Sequence, residues 1–202
     1  MKLFFSPGAC SLAPHIVLRE TGATFSLEKV DTASHRTAAG VDYYSITPKG
    51  QVPLLQLDDG TLLSEGPVIA QFIADQAAHT QLMPAAGSVA RYRVMEWQNY
   101  ITSELHKSFS PLFNAAFDTT AKGLHAQLLR KKFEWVDARL SDSDYLTGKD
   151  FTAADAYLFT VTNWAKYVSL DLSDLKHLQG FLARVAARPA VQAAMKAEGL
   201  LG

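Results

Sequence analysis

The spacing of apolar residues changes once along the chain, near residues 78–87. Before that point short apolar runs alternate with a helical pattern. Lys2 to Phe5 reads as a buried strand, and Ser6-Pro7-Gly8 as a turn. Ser11 to Thr21 has the helical spacing Leu12 to Ile16 and closes on Gly22, a C′ residue. Phe25, Leu27 and Val30 predict a second strand, and Asp31 to Gln51 is polar and irregular. Val52 to Leu57 and Thr61 to Leu63 flank Asp58-Asp59-Gly60, a hairpin signal. Ser64-Glu65-Gly66-Pro67 then opens a helix whose apolar face holds Val68, Ile69, Phe72 and Ile73.

Past Pro84 and Gly87 the strand signals stop. A long helix is predicted from Val89 to Phe109, with Pro111 expected to kink or end it. Further helices are predicted over 124–140, 152–167, 175–187 and 189–198, the last with Pro189 in its first turn. A β-α-β, loop, β-β-α half followed by an all-helical half gives two domains, 1–78 and 87–202, of α/β and all-α class.

Composition narrows the function. The net charge is -1, with 19 Lys and Arg against 20 Asp and Glu, and there is no basic stripe. Nucleic acid is therefore not an expected partner. Cys10 is the one cysteine, so no internal disulfide and no multi-thiolate zinc site can form, and a reducing cytoplasm is expected. The run Leu3-Phe4-Phe5 is too short for a signal peptide, and nothing approaches the ~20 apolar residues of a membrane span. A cytoplasmic protein with no membrane partner follows as the expectation.

Candidate chemistry gathers at four places. Cys10 begins a helix, where unpaired N–H groups and the dipole favour a thiolate; the alternative is an inert buried thiol. Val52-Pro53 starts a strand, and the isomer of its peptide bond stays open. Glu65-Gly66 can offer a carboxylate to an ammonium and helix-end N–H groups to a carboxylate, which suits an amino-acid headgroup; dipole compensation is the plainer account. On the long helix Val94, Trp97, Ile101 and Leu105 share one face. Asn99, Ser103, His106 and Ser110 fall nearly opposite, with Glu104 and Lys107 beside them. A polar stripe is usually only solvated, but His106 can exchange a proton near neutral pH. His15, His79, His125 and His177 read as surface or packing residues. Thr152 to Asp155 is a capping box and a folding device.

Five blocks then coincide with a known family. They are Ser6 to Leu12, Pro48 to Pro53, Asp58 to Gly60 with Glu65-Gly66, Ser103 to Lys107, and Phe151 to Phe159. In order and spacing, over nearly the whole length, the chain resembles the bacterial beta-class glutathione S-transferases. The resemblance implies a thioredoxin-like N-terminal domain, an all-helical C-terminal domain and a homodimer. It implies glutathione as co-substrate, a small electrophile as its partner, and neither metal nor further cofactor. Cys10 and His106 carry over as catalytic residues nearest the sulfur. His35, Val52 (across a cis Pro53), Glu65, Gly66, Asn99, Ser103, Glu104 and Leu105 carry over with them as glutathione contacts. The resemblance also puts a lysine where this chain has His35, so weaker or more pH-dependent glutathione binding is expected. Phe109, Phe113, Phe117 and Trp164 could line the electrophile pocket or form plain core. Conjugation leads. Disulfide exchange or reductive dehalogenation through Cys10, and non-catalytic binding of apolar ligands, are the alternatives.

Overall fold

The computed structural model describes residues 1–201, which form two compact units: residues 1–83 together with the segment from Ala187 onward, and residues 84–186. Hydropathy alone divides the chain at 78–87 and leaves the last helix with the helical half.

The first unit is built on a mixed sheet. Its strands are β1 (Lys2–Phe5), β2 (Ser26–Asp31), β3 (Arg36–Thr37), β4 (Leu54–Gln56) and β5 (Leu62–Ser64), in the order β3-β2-β1-β4-β5. β1 and β2 run parallel, with Leu3 opposite Leu27, because helix α1 (Leu12–Glu20) carries the chain back between them. β4 pairs antiparallel with both β1 and β5. The turn before β5 closes as its residues dictate: Gly60, at φ +87°, donates its N–H to the Leu57 carbonyl at 3.0 Å. Ile16, Val17 and Leu18 of α1 are fully buried.

The segment expected to be irregular holds real structure. Arg36 and Thr37 add an edge strand antiparallel to β2. A 3₁₀ turn over Tyr43–Ser45 buries Tyr43 against Phe4, Val30 and Leu54. Helix α2 (Gly66–Gln76) buries Ile69, Ala70, Ile73 and Ala74, whereas Val68 is exposed rather than on the apolar face.

In the second unit, α3 (Val89–Tyr100) runs into a π-helical segment (Ile101–His106) and on into α4 (Lys107–Phe113). The single long α-helix expected here is thus interrupted, and Pro111 lies inside α4, two residues before its end. Helix α5 (Thr119–Arg139) is capped by the Asp118 carboxylate. Helix α6 (Ala153–Thr162) is buried along its whole length, and Asn163–Val168 continues it as a 3₁₀ turn. Helix α7 (Lys176–Ala186) buries Leu178, Phe181 and Val185.

The capping box at α6 forms as expected. The Asp155 carboxylate accepts from the Thr152 N–H and hydroxyl, each at 2.7 Å, and from the Leu146 N–H at 2.9 Å. Burial pushes this carboxyl up to about 6, against those donors. Phe151 packs edge-on against Tyr145.

The last helix, α8 (Pro189–Ala197), packs against α1 in the first unit. Arg188 forks onto both oxygens of Glu20, at 2.6 and 2.9 Å. Among the described residues no helix is long and apolar enough to cross a membrane.

Candidate active site

Cys10 sits in a tight turn two residues before α1 begins. The turn is closed by the Ala9 N–H donating to the Ser6 carbonyl at 3.0 Å. The Ser11 hydroxyl both donates to that carbonyl and accepts the Ser6 N–H. Gly8 takes φ +71° there and donates its N–H to Glu198.

Cys10 is half-buried, and its thiol donates to the Val52 carbonyl at 3.2 Å. The Val52–Pro53 bond is cis. Of the two states the sequence leaves open for Cys10, a thiolate at a helix start and a buried thiol, the structure favours the thiol. Burial pushes it up to about 11, more strongly than the backbone N–H groups of Cys10 and Ser11 pull it down, and the charge of Glu65 adds to the rise. In the ligand-free chain it is a neutral donor.

His35, at φ +51°, has both ring nitrogens engaged. Nδ1 donates to the Gly50 carbonyl at 3.1 Å, and the Tyr44 hydroxyl donates to Nε2 at 3.2 Å, the rings lying 4.4 Å apart. Gly50 is required beneath them. It holds φ +59°, and a Cβ there would come within 2.5 Å of the Tyr44 ring.

Glu65 adopts φ +71° and ψ 111°, a strained conformation for a residue with a Cβ, just before Gly66 opens α2. Its carboxylate accepts from Lys49 at 2.8 Å, and the Lys49 ammonium also reaches the Ser64 hydroxyl at 3.2 Å. Tyr44 has no distinguishing sequence signal, and Lys49 has only its place in the Pro48 to Pro53 block.

The second unit carries the remaining candidates. Asn99 and Ser103 are exposed, and the Ser103 hydroxyl donates to the Asn99 carbonyl. Glu104 is ion-paired with Lys132 at 2.9 Å, which holds its carboxyl below the usual carboxylate range. Lys132 donates as well to the Glu104 carbonyl and the Ser108 hydroxyl. Leu105 is fully buried.

His106 ends the π-helical segment, a kind of irregularity that often marks functional positions. Its Nδ1 lies 2.6 Å from the Tyr157 hydroxyl, and its ring meets the Trp164 ring at 4.7 Å. Phe109 and Phe113 also pack on Trp164, with Phe113 half exposed, whereas Phe117 meets His125 edge-to-face instead. Three of the four aromatics expected to lie together therefore do so. Tyr157 lies within the Phe151 to Phe159 block, but nothing in its spacing indicates a histidine partner 51 residues away.

Among the described residues no group of three or more His, Cys, Asp or Glu side chains could hold a metal ion.

Comparison with known proteins supplies the context. Residues 8–76 match the glutathione S-transferase N-terminal domain and residues 100–189 the glutathione S-transferase C-terminal domain. The chain is 50% identical over 200 residues to the glutathione S-transferase GstA of Escherichia coli O157:H7, covering 99% of this chain and 100% of that one. Two solved structures superpose closely. A bacterial beta-class glutathione S-transferase from Sphingomonas chungbukensis is 43% identical with TM-score 0.96, each chain covered 100%. A sphingomonad glutathione S-transferase complexed with glutathione is 46% identical with TM-score 0.95, covering 99% of this chain and 100% of that one.

Proposed function

Because the chain belongs to the glutathione S-transferase family and is a glutathione transferase, we propose that it conjugates glutathione to small hydrophobic electrophiles with Cys10 as a tuning donor rather than a nucleophile. The observation that carries this is the Cys10 thiol held as a neutral donor on the Val52 carbonyl. A thiol in that state is a poor nucleophile at neutral pH. Disulfide exchange and dehalogenation through Cys10 lose their support with it.

The roles follow from the donors and acceptors present. The glutathione cysteinyl backbone pairs with Val52, displacing the Cys10 S–H from the carbonyl and freeing it to donate to the glutathione sulfur. The γ-glutamyl ammonium takes the Glu65 carboxylate in place of Lys49. Its carboxylate takes the N–H groups at the start of α2, beside Gly66. His35, Asn99, Ser103, Glu104 and Leu105 complete the contacts, and His106 donates to the sulfur. The thiol proton leaves to solvent. The thiolate then bonds to the electrophilic carbon and chloride departs when the substrate is an aryl chloride. Phe109, Phe113 and Trp164 offer the apolar surface for such a ring.

The same proposal includes a cytoplasmic, detoxifying homodimer that needs no metal and no cofactor beyond glutathione. Exposed Val89, Tyr92, Leu124, Leu128 and Trp135 supply apolar surface of the kind a partner covers. Sedimentation at micromolar concentration tests the dimer.

The decisive assay is glutathione conjugation to an activated aryl chloride by wild type and Cys10→Ala side by side. Turnover in both, with Cys10→Ala slower, is expected. Loss confined to Cys10→Ala restores a covalent role for Cys10, and no turnover in either removes general conjugation.

A further inference from the structure

His106 does not stand alone. Its Nδ1 is 2.6 Å from the Tyr157 hydroxyl, and the edge of the Trp164 ring closes on it at 4.7 Å. Tyr157 is itself closely packed: it is 5% exposed, on a helix buried throughout and capped at its start by the Thr152–Asp155 capping box. The hydroxyl is therefore a fixed point against which the imidazole is set.

We propose that Tyr157 is a positioning residue that holds His106 in the tautomer with its proton on Nε2, turned to the sulfur of bound glutathione. A neutral phenol is the better proton donor of the two, and a neutral imidazole nitrogen the better acceptor. The short contact is thus O–H to Nδ1, and an accepting Nδ1 puts the ring proton on Nε2. His106 then donates to a thiolate while remaining uncharged, with no need to capture a proton first. The π-helical segment sets where the ring leaves the backbone, Trp164 limits its tilt, and Tyr157 selects the tautomer. This inference rests on the reading that His106 acts at the glutathione sulfur.

The test combines a spectroscopic and a kinetic readout on the full-length protein. Long-range proton–nitrogen NMR at about pH 8, where a free imidazole is neutral, reports the tautomer of His106, with His106→Asn assigning the signal. Wild type is expected to show the Nε2–H form, and Tyr157→Phe a mixture of both. With an activated aryl chloride, Tyr157→Phe is expected to lower kcat severalfold, short of the ~10²–10³ of a donor removed outright, because part of the population keeps the Nε2–H form, with the KM for glutathione nearly unchanged. In a His106→Asn background Tyr157→Phe should have no further effect. An Nδ1–H form in wild type, an unchanged tautomer in Tyr157→Phe, or additive losses in the double variant overturns the proposal. Absence of turnover in wild type would instead sink conjugation, while the NMR readout still decides the role of Tyr157.

Discussion

At Cys10 two opposing effects act on one thiol, and their balance sets its chemistry. The open helix end favours the thiolate, while burial and a carbonyl partner favour the thiol, and burial wins. A shift from 9.0 to about 11 cuts the thiolate fraction about a hundredfold at any pH well below both values. The more basic thiolate is intrinsically more nucleophilic, which recovers about tenfold. Alkylation of the ligand-free protein by iodoacetamide should therefore run about tenfold slower than that of a free cysteine near neutral pH. Its logarithm should keep climbing with pH past 9, since the proton is held until the raised value is passed. A plateau at or below pH 9 would contradict the geometry. The position of Cys10 was legible in the sequence; its protonation was not, because burial is set by packing and its carbonyl partner lies 42 residues away. His35 gives a second case. With Gly50 and Tyr44 occupying its nitrogens, neither can take a carboxylate without giving up a partner. His35→Lys should tighten glutathione binding at neutral pH by up to about fivefold, the scale of an exposed ion pair, and calorimetry returning an unchanged Kd would retire this idea.

Elements differ in how much of them a linear pattern can report. Helix α6 was readable because its start signal is local: Thr152 and Asp155 satisfy the first-turn donors within four residues. Asp155→Ala removes the cap and leaves the buried Thr152 N–H and the part-buried Leu146 N–H without their acceptor. Against that, it removes a carboxylate held in a dry site. The net cost should be about 2 kcal/mol, read as a lower urea midpoint at unchanged slope. A midpoint equal to wild type would mean that α6 is held by packing alone. The π-helical segment was not readable. Val94, Trp97, Ile101 and Leu105 keep ordinary helical spacing and are all buried, so periodicity passes through the irregularity unmarked. What holds it is partly distant, since Lys132 of α5 bonds the Glu104 carbonyl and carboxylate. The edge strand β3 was missed for a related reason. Two residues are too few to show alternation, and the apolar anchor, Tyr43, lies beyond the strand.

Over the molecule as a whole, the change from strands to helices is written in the hydropathy, but the return of the chain's end to the first unit is not. That return rests on Glu198, whose side chain is fully buried. One carboxylate oxygen accepts the Gly8 N–H at 2.8 Å and the other accepts from His15 Nδ1 at 2.8 Å. Arg19 donates to His15 Nε2, which leaves the imidazole proton on Nδ1, where Glu198 needs it. His15, for which the sequence leaves a surface or a packing role open, is fully buried between Phe5 and Phe25, and it also makes a hydrogen bond to a carboxylate 183 residues away. Hydropathy sees Glu198 only as a polar residue after a helix, so nothing local announces this anchor. Truncating it strands two buried donors, each costing about 1–3 kcal/mol. Glu198→Ala should therefore destabilise by about 3 kcal/mol and lower Tm by about 6–12 °C for a chain of this length. Glu198→Gln, which keeps one acceptor oxygen, should fall between Ala and wild type. Hydrogen exchange should quicken first at the Gly8 turn and along α1 rather than through α5 and α6. If Glu198→Ala melts with the wild type, or if exchange rises evenly over both units, α8 is held by Val191, Ala194 and the Arg188–Glu20 fork, and the carboxylate is a passenger.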